Sequence, residues 1–302
     1  MVATRNQELL LGFAEYEAPA RRLAEVAGLD YAQVDVHRFP DGESRLRLPD
    51  RLPPHVLICR SLNQPNDKLV ELVLAAATAR DLGADTITLV APYLCYMRQD
   101  KAFQPGEAVS QHVIGKLLAG CFDELIAVDP HLHRVHQLDQ AVPVRQALAV
   151  SATNAMAAYL DGRLDNPLLL GPDEESEQWV AAIARRNQLE FHVARKRRFG
   201  DSEVRVTLPD ADYRGRSVVL VDDVASTGRT LEAASRCLAP FQPASITVMV
   251  THALFVGDAQ TRLRDAGVDD IWSCDSIIHP TNRINLADTL AQALYTLPSM
   301  RD

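Results

Sequence analysis

The stretch VVLVDDVASTGRTL, residues 218–231, runs from aliphatic residues into two acids and then into a turn of small residues. The unbroken aliphatic run predicts a strand buried on both faces, and the apolar spacing after the turn predicts a helix. Free N–H groups in the first turn of a helix, together with the hydroxyls of residues 226–230, can surround a phosphate, and Gly228 lets the backbone approach closely. Asp222 and Asp223 would repel a phosphate, so their expected partners are sugar hydroxyls or a bridging cation. The stretch predicts a site for a phosphorylated sugar; the alternative is an ordinary strand-to-helix turn in which Asp or Ser caps the helix.

Polar residues also follow a second aliphatic run, in APYLCYMRQDKAF (91–103). The carboxyl ends of strands are where open α/β sheets bind ligands. Arg98 offers a planar guanidinium suited to phosphate oxygens, and Gln99 can pair with a base or a hydroxyl. Asp100 and Lys101 come next. A solvated loop is the alternative for these charges.

A histidine-rich segment, AVDPHLHRVH (127–136), ends another apolar run with Asp129, His131, His133 and His136. A zinc site is one interpretation, but no cysteine or further spaced ligand completes it. In LLLGPDEESEQW (168–179), Asp173 likewise stands between a predicted strand and a predicted helix.

Two further segments are typical of solvated surface when each is taken alone. RFPDGESRLRL (38–48) puts Phe39, Asp41 and Glu43 in a turn that leads to an alternating strand, which predicts a surface hairpin. HVARKRRFGDSEVRV (192–206) concentrates four cations in an otherwise acidic chain: Arg195, Lys196, Arg197 and Arg198.

These residues need a scaffold that brings strand ends together. Strand-like runs occur at 55–62, 86–94, 124–129, 167–171, 217–223, 245–255 and 270–277. Helical patterns lie between most of them, the clearest at 66–84, where Asn66 or Asp67 can cap the start and Gly83 can close the end. Strands that alternate with helices predict a mainly parallel sheet flanked by helices. The rhythm before residue 150 recurs after it, so we predict an α/β fold of two tandem domains, 1–147 and 148–302, with a last helix able to pack back on the first domain.

Composition narrows the class of protein. The 302 residues are enough for two domains, and 47% hydrophobic with 24% charged residues is ordinary for a soluble globular protein. No apolar run approaches the roughly 20 residues that span a bilayer, and the start has no secretory signal, so we expect a cytoplasmic protein. Five cysteines without a CxxC pair are expected to be reduced core residues. A net charge of −9 argues against a nucleic-acid or membrane partner.

Six segments in order carry a specific resemblance that covers nearly the whole chain: FPDGE, PYLCYMRQD, VDPH, GPD, KRR and VDDVASTGRT. In order and spacing they resemble the motifs of the ribose-phosphate diphosphokinase family, also called phosphoribosyl pyrophosphate synthetases. The last segment also resembles the ribose-phosphate loop of the phosphoribosyltransferase superfamily. The resemblance implies two phosphoribosyltransferase-like domains. It also implies transfer of the β,γ-diphosphoryl group of ATP to the 1-hydroxyl of ribose 5-phosphate, with release of AMP.

Residue roles follow from the same resemblance. ATP would be bound by Phe39, Asp41, Glu43, Arg98, Gln99 and Asp100, the first three partly across a subunit interface. Ribose 5-phosphate would be bound by Asp222, Asp223, Ser226, Thr227, Gly228, Arg229 and Thr230. His131 and Asp173 would position Mg²⁺. Lys196 and Arg198, on a mobile loop, would be the catalytic cations that close over the transferring group. A homo-oligomer, with a dimer as the minimum, is also implied.

This chain departs from the family pattern at several places. Glu175 and Ser176 replace both glycines of Pro-Asp-x-Gly-Gly, Ser226 stands where many members have an acid, and Arg229 replaces a glycine of the phosphate loop. DPHLHRVH replaces DLHAxQIQ. Regulation by ADP or phosphate therefore stays open, as do two other functions: a non-catalytic regulatory homologue that binds the same ligands, and a phosphoribosyltransferase that consumes the diphosphate product.

Overall fold

The computed structural model describes residues 8–132, 134–135, 137–199 and 203–300, without the side chains of 197–199 and 203–205. His133 and His136 therefore lie outside the described residues. The chain divides into two compact units, the first formed by residues 1–151 with 286–302 and the second by residues 152–285.

The first unit is built on a parallel sheet. Its elements in chain order are β1 (Glu8–Gly12), α1 (Glu17–Ala27), β2 (Asp30–Gln33), β3 (Asp35–Arg38), β4 (Ser44–Arg47), β5 (His55–Cys59), α2 (Pro65–Asp81), β6 (Thr86–Ala91), α3 (Ser110–Ala119), β7 (Glu124–Val128), α4 (Leu138–Ala141), β8 (Gln146–Val150) and α9 (Ala287–Leu294). Six strands form the sheet in the order β2-β1-β5-β6-β7-β8. Every residue of β5 and β7 is buried, as the unbroken aliphatic runs predict. Strands β3 and β4 form a separate antiparallel hairpin, and α9 packs against α1.

The second unit repeats this architecture. Its elements are α5 (Thr153–Leu160), β9 (Leu168–Gly171), α6 (Glu177–Asn187), β10 (Phe191–Val193), β11 (Arg195–Phe199), β12 (Glu203–Thr207), β13 (Ser217–Ala225), α7 (Arg229–Leu238), β14 (Ser245–Ala253), α8 (Ala259–Asp265), β15 (Asp270–Cys274) and β16 (Asn282–Ile284). Six strands form a parallel sheet in the order β10-β9-β13-β14-β15-β16, and β11 pairs antiparallel with β12. The predicted α/β fold is confirmed.

Helix α2 shows how local sequence sets the ends of an element. It begins at Pro65, whose missing N–H costs nothing at a first helical position. The predicted side-chain caps are wrong: Asn66 instead accepts a hydrogen bond from the Tyr96 hydroxyl at 2.5 Å, and Asp67 pairs with an arginine of the β3–β4 hairpin. Gly83 closes the end as predicted, with a positive φ of 99°.

The predicted strands all occur, but their ends differ. Most stop a few residues earlier than the apolar run, whereas β13 continues past the two acids to Ala225. Strands β1, β2, β8, β10 and β16 of the two sheets were not predicted. All five are short; β2, β8, β10 and β16 are edge strands, and β1 lies next to an edge. The five cysteines are free; Cys59, Cys95 and Cys274 are buried and the other two are half-buried. In the described part of the chain, no helix combines the length and the apolar character needed to cross a membrane.

Candidate functional site

The predicted phosphate loop, residues 226–230 (hereafter the phosphate loop), comprises the connection from β13 to α7 and the first two residues of α7, at the carboxyl edge of the second sheet. Asp223 is 3% exposed, whereas Asp222 is half-buried. Gly228 has a φ of 69°, which glycine adopts without strain, and the helix begins at the next residue. Within the loop, Ser226 and Thr230 are half-buried, whereas Thr227 and Arg229 are exposed. The structure thus brings all seven predicted sugar-phosphate residues to one strand-to-helix connection.

Asp173 lies at the same edge, two residues after β9, and is 6% exposed. Its backbone is extended, and its carbonyl accepts hydrogen bonds from the Ser176 hydroxyl at 2.6 Å and the Ser176 N–H at 3.2 Å. A Cβ at Gly171 would lie 2.4 Å from the Ser176 hydroxyl, so this serine packs where only glycine can face it. None of residues 174–176 needs a positive φ. The loss of the two family glycines therefore leaves a regular turn that holds Asp173 in place.

Three carboxylates of the second unit form an acidic cluster: Asp173, Asp222 and Asp223. Burial raises the pKa of Asp222 well above its usual value, and the negative charges of Asp223 and Asp173 raise it further. One ammonium partially balances the cluster, since Lys196 Nζ donates to Asp173 Oδ2 at 2.7 Å. The three carboxyl groups offer the oxygen ligands that hard divalent cations prefer, and a cation bound there would favour the ionised form of Asp222.

The cationic run forms β11 of the β11–β12 hairpin. The Lys196 side chain is largely buried beside Asp173, and its backbone N–H donates to Glu174 Oε2 at 3.4 Å. Arg195 is exposed. The backbone of Arg198 pairs with Val204 across the hairpin, but its side chain lies outside the described part of the structure. Of the two predicted catalytic cations, Lys196 is the one whose side chain is described. Its ammonium contacts Asp173, which is a predicted metal ligand.

The β3–β4 hairpin of the first unit carries the first three predicted ATP residues. The N–H of Phe39 donates to the Glu43 carbonyl at 2.8 Å, and the N–H of Glu43 donates to Asp41 Oδ1 at 3.1 Å. Phe39 is 40% exposed, and Asp41 and Glu43 are also exposed. The predicted surface hairpin is confirmed, with all three side chains projecting from a closed turn.

Glu71 of α2 fastens this hairpin to the body of the unit. It is 1% exposed; its Oε1 accepts from Ser44 Oγ at 2.8 Å and Arg38 Nη2 at 3.2 Å, and its Oε2 accepts from Arg60 Nη2 at 2.5 Å. Burial alone would raise the pKa of Glu71, but the hydrogen bonds from Arg60 and Ser44 and the charges of both arginines lower it below its usual value. Sequence analysis singled out none of the four residues of this contact. The available signal was weak: Arg60 directly follows a buried strand, and Glu71 lies on the buried face of a helix.

The remaining predicted ATP residues lie between β6 and α3. Arg98 is exposed, and Gln99 Oε1 accepts from Ser110 Oγ at 2.6 Å. The Asp100 carboxylate is buried and accepts from Arg134 Nη1 at 2.6 Å. Arg134 replaces a glutamine of the family pattern, so this chain joins its histidine segment to the Arg98 loop by an ion pair. His131, in that segment, is half-buried.

The second unit, with its parallel sheet and its phosphate loop after paired acids, is a phosphoribosyltransferase-type domain. A family profile described as the phosphoribosyl transferase domain matches residues 143–289, and one described as the N-terminal domain of ribose phosphate pyrophosphokinase matches residues 9–121. The chain belongs to the ribose-phosphate pyrophosphokinase family, as the six motifs predicted.

Similar proteins include a ribose-phosphate pyrophosphokinase of Methanopyrus kandleri, 33% identical over 96% of this chain and 99% of its own length. One of Sulfolobus acidocaldarius is 32% identical over 88% of this chain and 92% of its own. Among solved structures, phosphoribosylpyrophosphate synthetase from Mycobacterium smegmatis matches with a TM-score of 0.79 over 95% of this chain and 97% of that chain. At 20% identity, this last match supports the fold.

Proposed function

We propose that the protein transfers the β,γ-diphosphoryl group of ATP to the 1-hydroxyl of ribose 5-phosphate, giving 5-phosphoribosyl 1-diphosphate and AMP. The observation that carries this proposal is the phosphate loop that follows Asp222 and Asp223 at the carboxyl edge of the second sheet. Membership of the family supports it. Because both substrates and reduced thiols belong to the cell interior, we also propose the cytoplasm as its location.

The proposed sugar-phosphate site divides its work between two kinds of group. The N–H groups and hydroxyls of residues 226–230 bind the 5-phosphate at the start of α7. Asp222 and Asp223 accept hydrogen bonds from the ribose hydroxyls and so fix the direction of the sugar ring. The nucleophile is the 1-hydroxyl of the substrate, so no covalent enzyme intermediate forms.

Mg²⁺ is the proposed cofactor, with Asp173 as one ligand; His131, in the first unit, is proposed on the family resemblance alone. The clustered carboxyl oxygens of Asp173, Asp222 and Asp223 fit a divalent cation. Among the described residues, no three His, Cys, Asp or Glu side chains are arranged as a complete metal site. Mg²⁺ is commonly bound through one or two carboxylates, water and substrate phosphates, so a complete protein cage is not required. When bound, it would neutralise charge on the phosphoryl oxygens.

ATP recognition is proposed for the exposed hairpin side chains Phe39, Asp41 and Glu43, and for Arg98 and Gln99. A phenylalanine face suits adenine, and the two acids can accept hydrogen bonds from ribose hydroxyls. Asp100 is proposed to act as a support, since its carboxylate is buried and held by Arg134.

Catalysis is proposed to depend on placing positive charge at the transferring group. Phosphoryl transfer is accelerated chiefly by positioning and by electrostatic stabilisation. Lys196 and Arg198, on the β11–β12 hairpin, would supply that charge and exclude water, which would otherwise compete as the acceptor.

A homo-oligomer is proposed, formed through the first unit. Strands β5, β6 and β7 follow one another across the sheet, so right-handed crossovers place α2 and α3 on the same face. On these helices Val70, Leu74, Val113 and Leu117 are exposed in pairs four residues apart. A second copy of this chain is the proposed partner for this apolar face.

The experiment that tests the proposed function is ³¹P NMR of the purified protein with MgATP and ribose 5-phosphate. We expect AMP and a new diphosphate ester on C1 to appear together. ADP in place of AMP would contradict diphosphoryl transfer and indicate a monophosphoryl kinase. Binding of both ligands without any product would support the regulatory homologue, whereas reaction only with the diphosphate product and a base would support a phosphoribosyltransferase.

Loosening the β3–β4 hairpin, which carries three of the proposed ATP-binding residues, should raise the KM for ATP and not the KM for ribose 5-phosphate. Arg38→Ala combined with Ser44→Ala removes two of the contacts to Glu71 while leaving Arg60 paired with it. Because two hydrogen bonds to a carboxylate are lost, we expect the KM for ATP to rise about tenfold, with the KM for ribose 5-phosphate and kcat changed less than threefold. Steady-state kinetics with each substrate varied in turn measure the two KM values and kcat.

The matched control is Arg47→Ala, an exposed arginine of the same hairpin that pairs with Asp35 within it. It should leave both KM values unchanged. If the double variant raised both KM values equally, Glu71 would support the fold in general and would have no specific effect on the β3–β4 hairpin.

A further inference from the structure

Three successive carbonyl groups, those of Ala225, Ser226 and Thr227, accept hydrogen bonds from residues 254–262. The Ala225 carbonyl accepts from the Leu254 and Phe255 N–H groups at 3.1 and 2.9 Å, and the Ser226 carbonyl accepts from the Val256 N–H at 2.9 Å. The next carbonyl, of Thr227, accepts from Arg262 Nη2 at 2.5 Å. Two of the three carbonyls are thus held by the backbone that follows β14, and the third is held by a side chain of α8.

The direction of each carbonyl fixes the direction of the next N–H. In a planar trans peptide the C=O and the N–H point to opposite sides, and the described backbone contains no cis peptide bond. The N–H groups of Ser226, Thr227 and Gly228 therefore point away from α8 and from the segment after β14. Successive N–H groups with a shared direction form an anion-binding concavity. The peptide between Thr227 and Gly228 is the one whose direction depends on Arg262.

Arg262 is itself held from two further sides. Its Nε donates to Glu232 Oε2 at 3.0 Å, and its Nη1 pairs with Asp258. Glu232 belongs to α7, the helix that begins directly after the loop. The guanidinium is 28% exposed at the side chain, and its planar fork can satisfy all three acceptors at once, which a lysine ammonium cannot do in the same geometry.

We propose that Arg262 is a positioning residue for the ribose 5-phosphate site: by binding the Thr227 carbonyl, it aims the Gly228 N–H at the 5-phosphate. This inference rests on the proposed function of the loop. Arg262 acts through the backbone and need not touch the substrate, so its loss should weaken binding of the sugar phosphate and leave ATP recognition, which is proposed for the first unit, unaffected.

The test compares Arg262→Ala with Arg236→Ala. Arg236 also pairs with Glu232, at 3.1 Å, and is the matched control because its contacts do not include the loop. For Arg262→Ala we expect about a tenfold rise in the Kd of ribose 5-phosphate by isothermal titration calorimetry and in its KM, corresponding to one lost hydrogen bond to a charged group. The KM for ATP should stay within twofold. Arg236→Ala should change none of the three constants by more than twofold.

A conservative variant keeps the inference testable if Arg262→Ala does not fold. Arg262→Lys retains the charge but can reach only some of the three acceptors, so we expect the Kd of ribose 5-phosphate to rise by an intermediate factor of about threefold. Wild-type affinity for ribose 5-phosphate in both variants, or an equal rise of both KM values, would overturn the inference while leaving the proposed function intact. A parent protein that does not bind ribose 5-phosphate by calorimetry would overturn both.

Discussion

Lys196→Ala is expected to lower turnover by about 10²- to 10³-fold, because it removes a preorganised positive charge from the place where charge spreads over the phosphoryl oxygens. Binding of ribose 5-phosphate should weaken only modestly, since the residues proposed to bind that substrate stay intact. The split between kcat and binding is the informative result, as a group that acts mainly in the transition state changes kcat and kcat/KM together.

The contact between Lys196 and Asp173 adds a second expected effect. The Lys196 ammonium pairs with Asp173 in the acidic cluster, so the alanine variant removes that pairing and leaves Asp173 beside Asp222 and Asp223. The melting temperature without Mg²⁺ should therefore fall, because a buried carboxylate without a cation is destabilising. Arg195→Ala, which removes an exposed charge from the same hairpin, should lower turnover by threefold at most. Near-normal turnover of Lys196→Ala, measured by AMP release, would remove the hairpin from the mechanism.

The features that could be predicted from the sequence are those determined by local pattern. The aliphatic run before Asp222 predicted a buried strand, and parallel strands then required polar residues such as Asp173 and Arg98 to lie at the carboxyl edges of their respective sheets. Each of these inferences needs only the few residues that surround it. The two-unit α/β fold follows from the repetition of the same pattern.

The features that could not be predicted depend on residues far apart in the chain. Arg262 lies 35 residues from the Thr227 carbonyl that it binds, and Glu71 lies 33 residues from Arg38. Nothing in the sequence near either partner indicates the contact. The predicted side-chain caps of α2 were wrong because the helix begins at Pro65, which places Asn66 and Asp67 inside it, where their side chains contact residues of other segments. The packing of Ser176 against Gly171 could likewise be recognised only in the structure.

Asp223→Ala is expected to weaken binding of ribose 5-phosphate by about 10- to 100-fold, which corresponds to about 1.5–3 kcal/mol for a hydrogen bond to a charged group. Asp223→Asn keeps the shape and one acceptor oxygen, so its loss of affinity should be smaller. Asp265→Asn, which changes the same charge at an exposed place in α8, should leave the affinity unchanged. Calorimetric titration with ribose 5-phosphate measures all three, and unchanged affinity of Asp223→Ala would contradict the assigned role.

Neutralising Asp223 should raise the stability of the protein while it lowers the affinity for ribose 5-phosphate. Burial and the neighbouring carboxylates raise the pKa of Asp222, which indicates that these acids are held together at a cost. Asp223→Asn removes one like charge, so the ligand-free protein should melt at a higher temperature than the parent. If Asp223 served the fold, neutralising it would instead lower the melting temperature. If Asp223 serves the ligand, neutralising it should lower the affinity for ribose 5-phosphate and raise the melting temperature, because crowding like charges at a binding site trades stability for function.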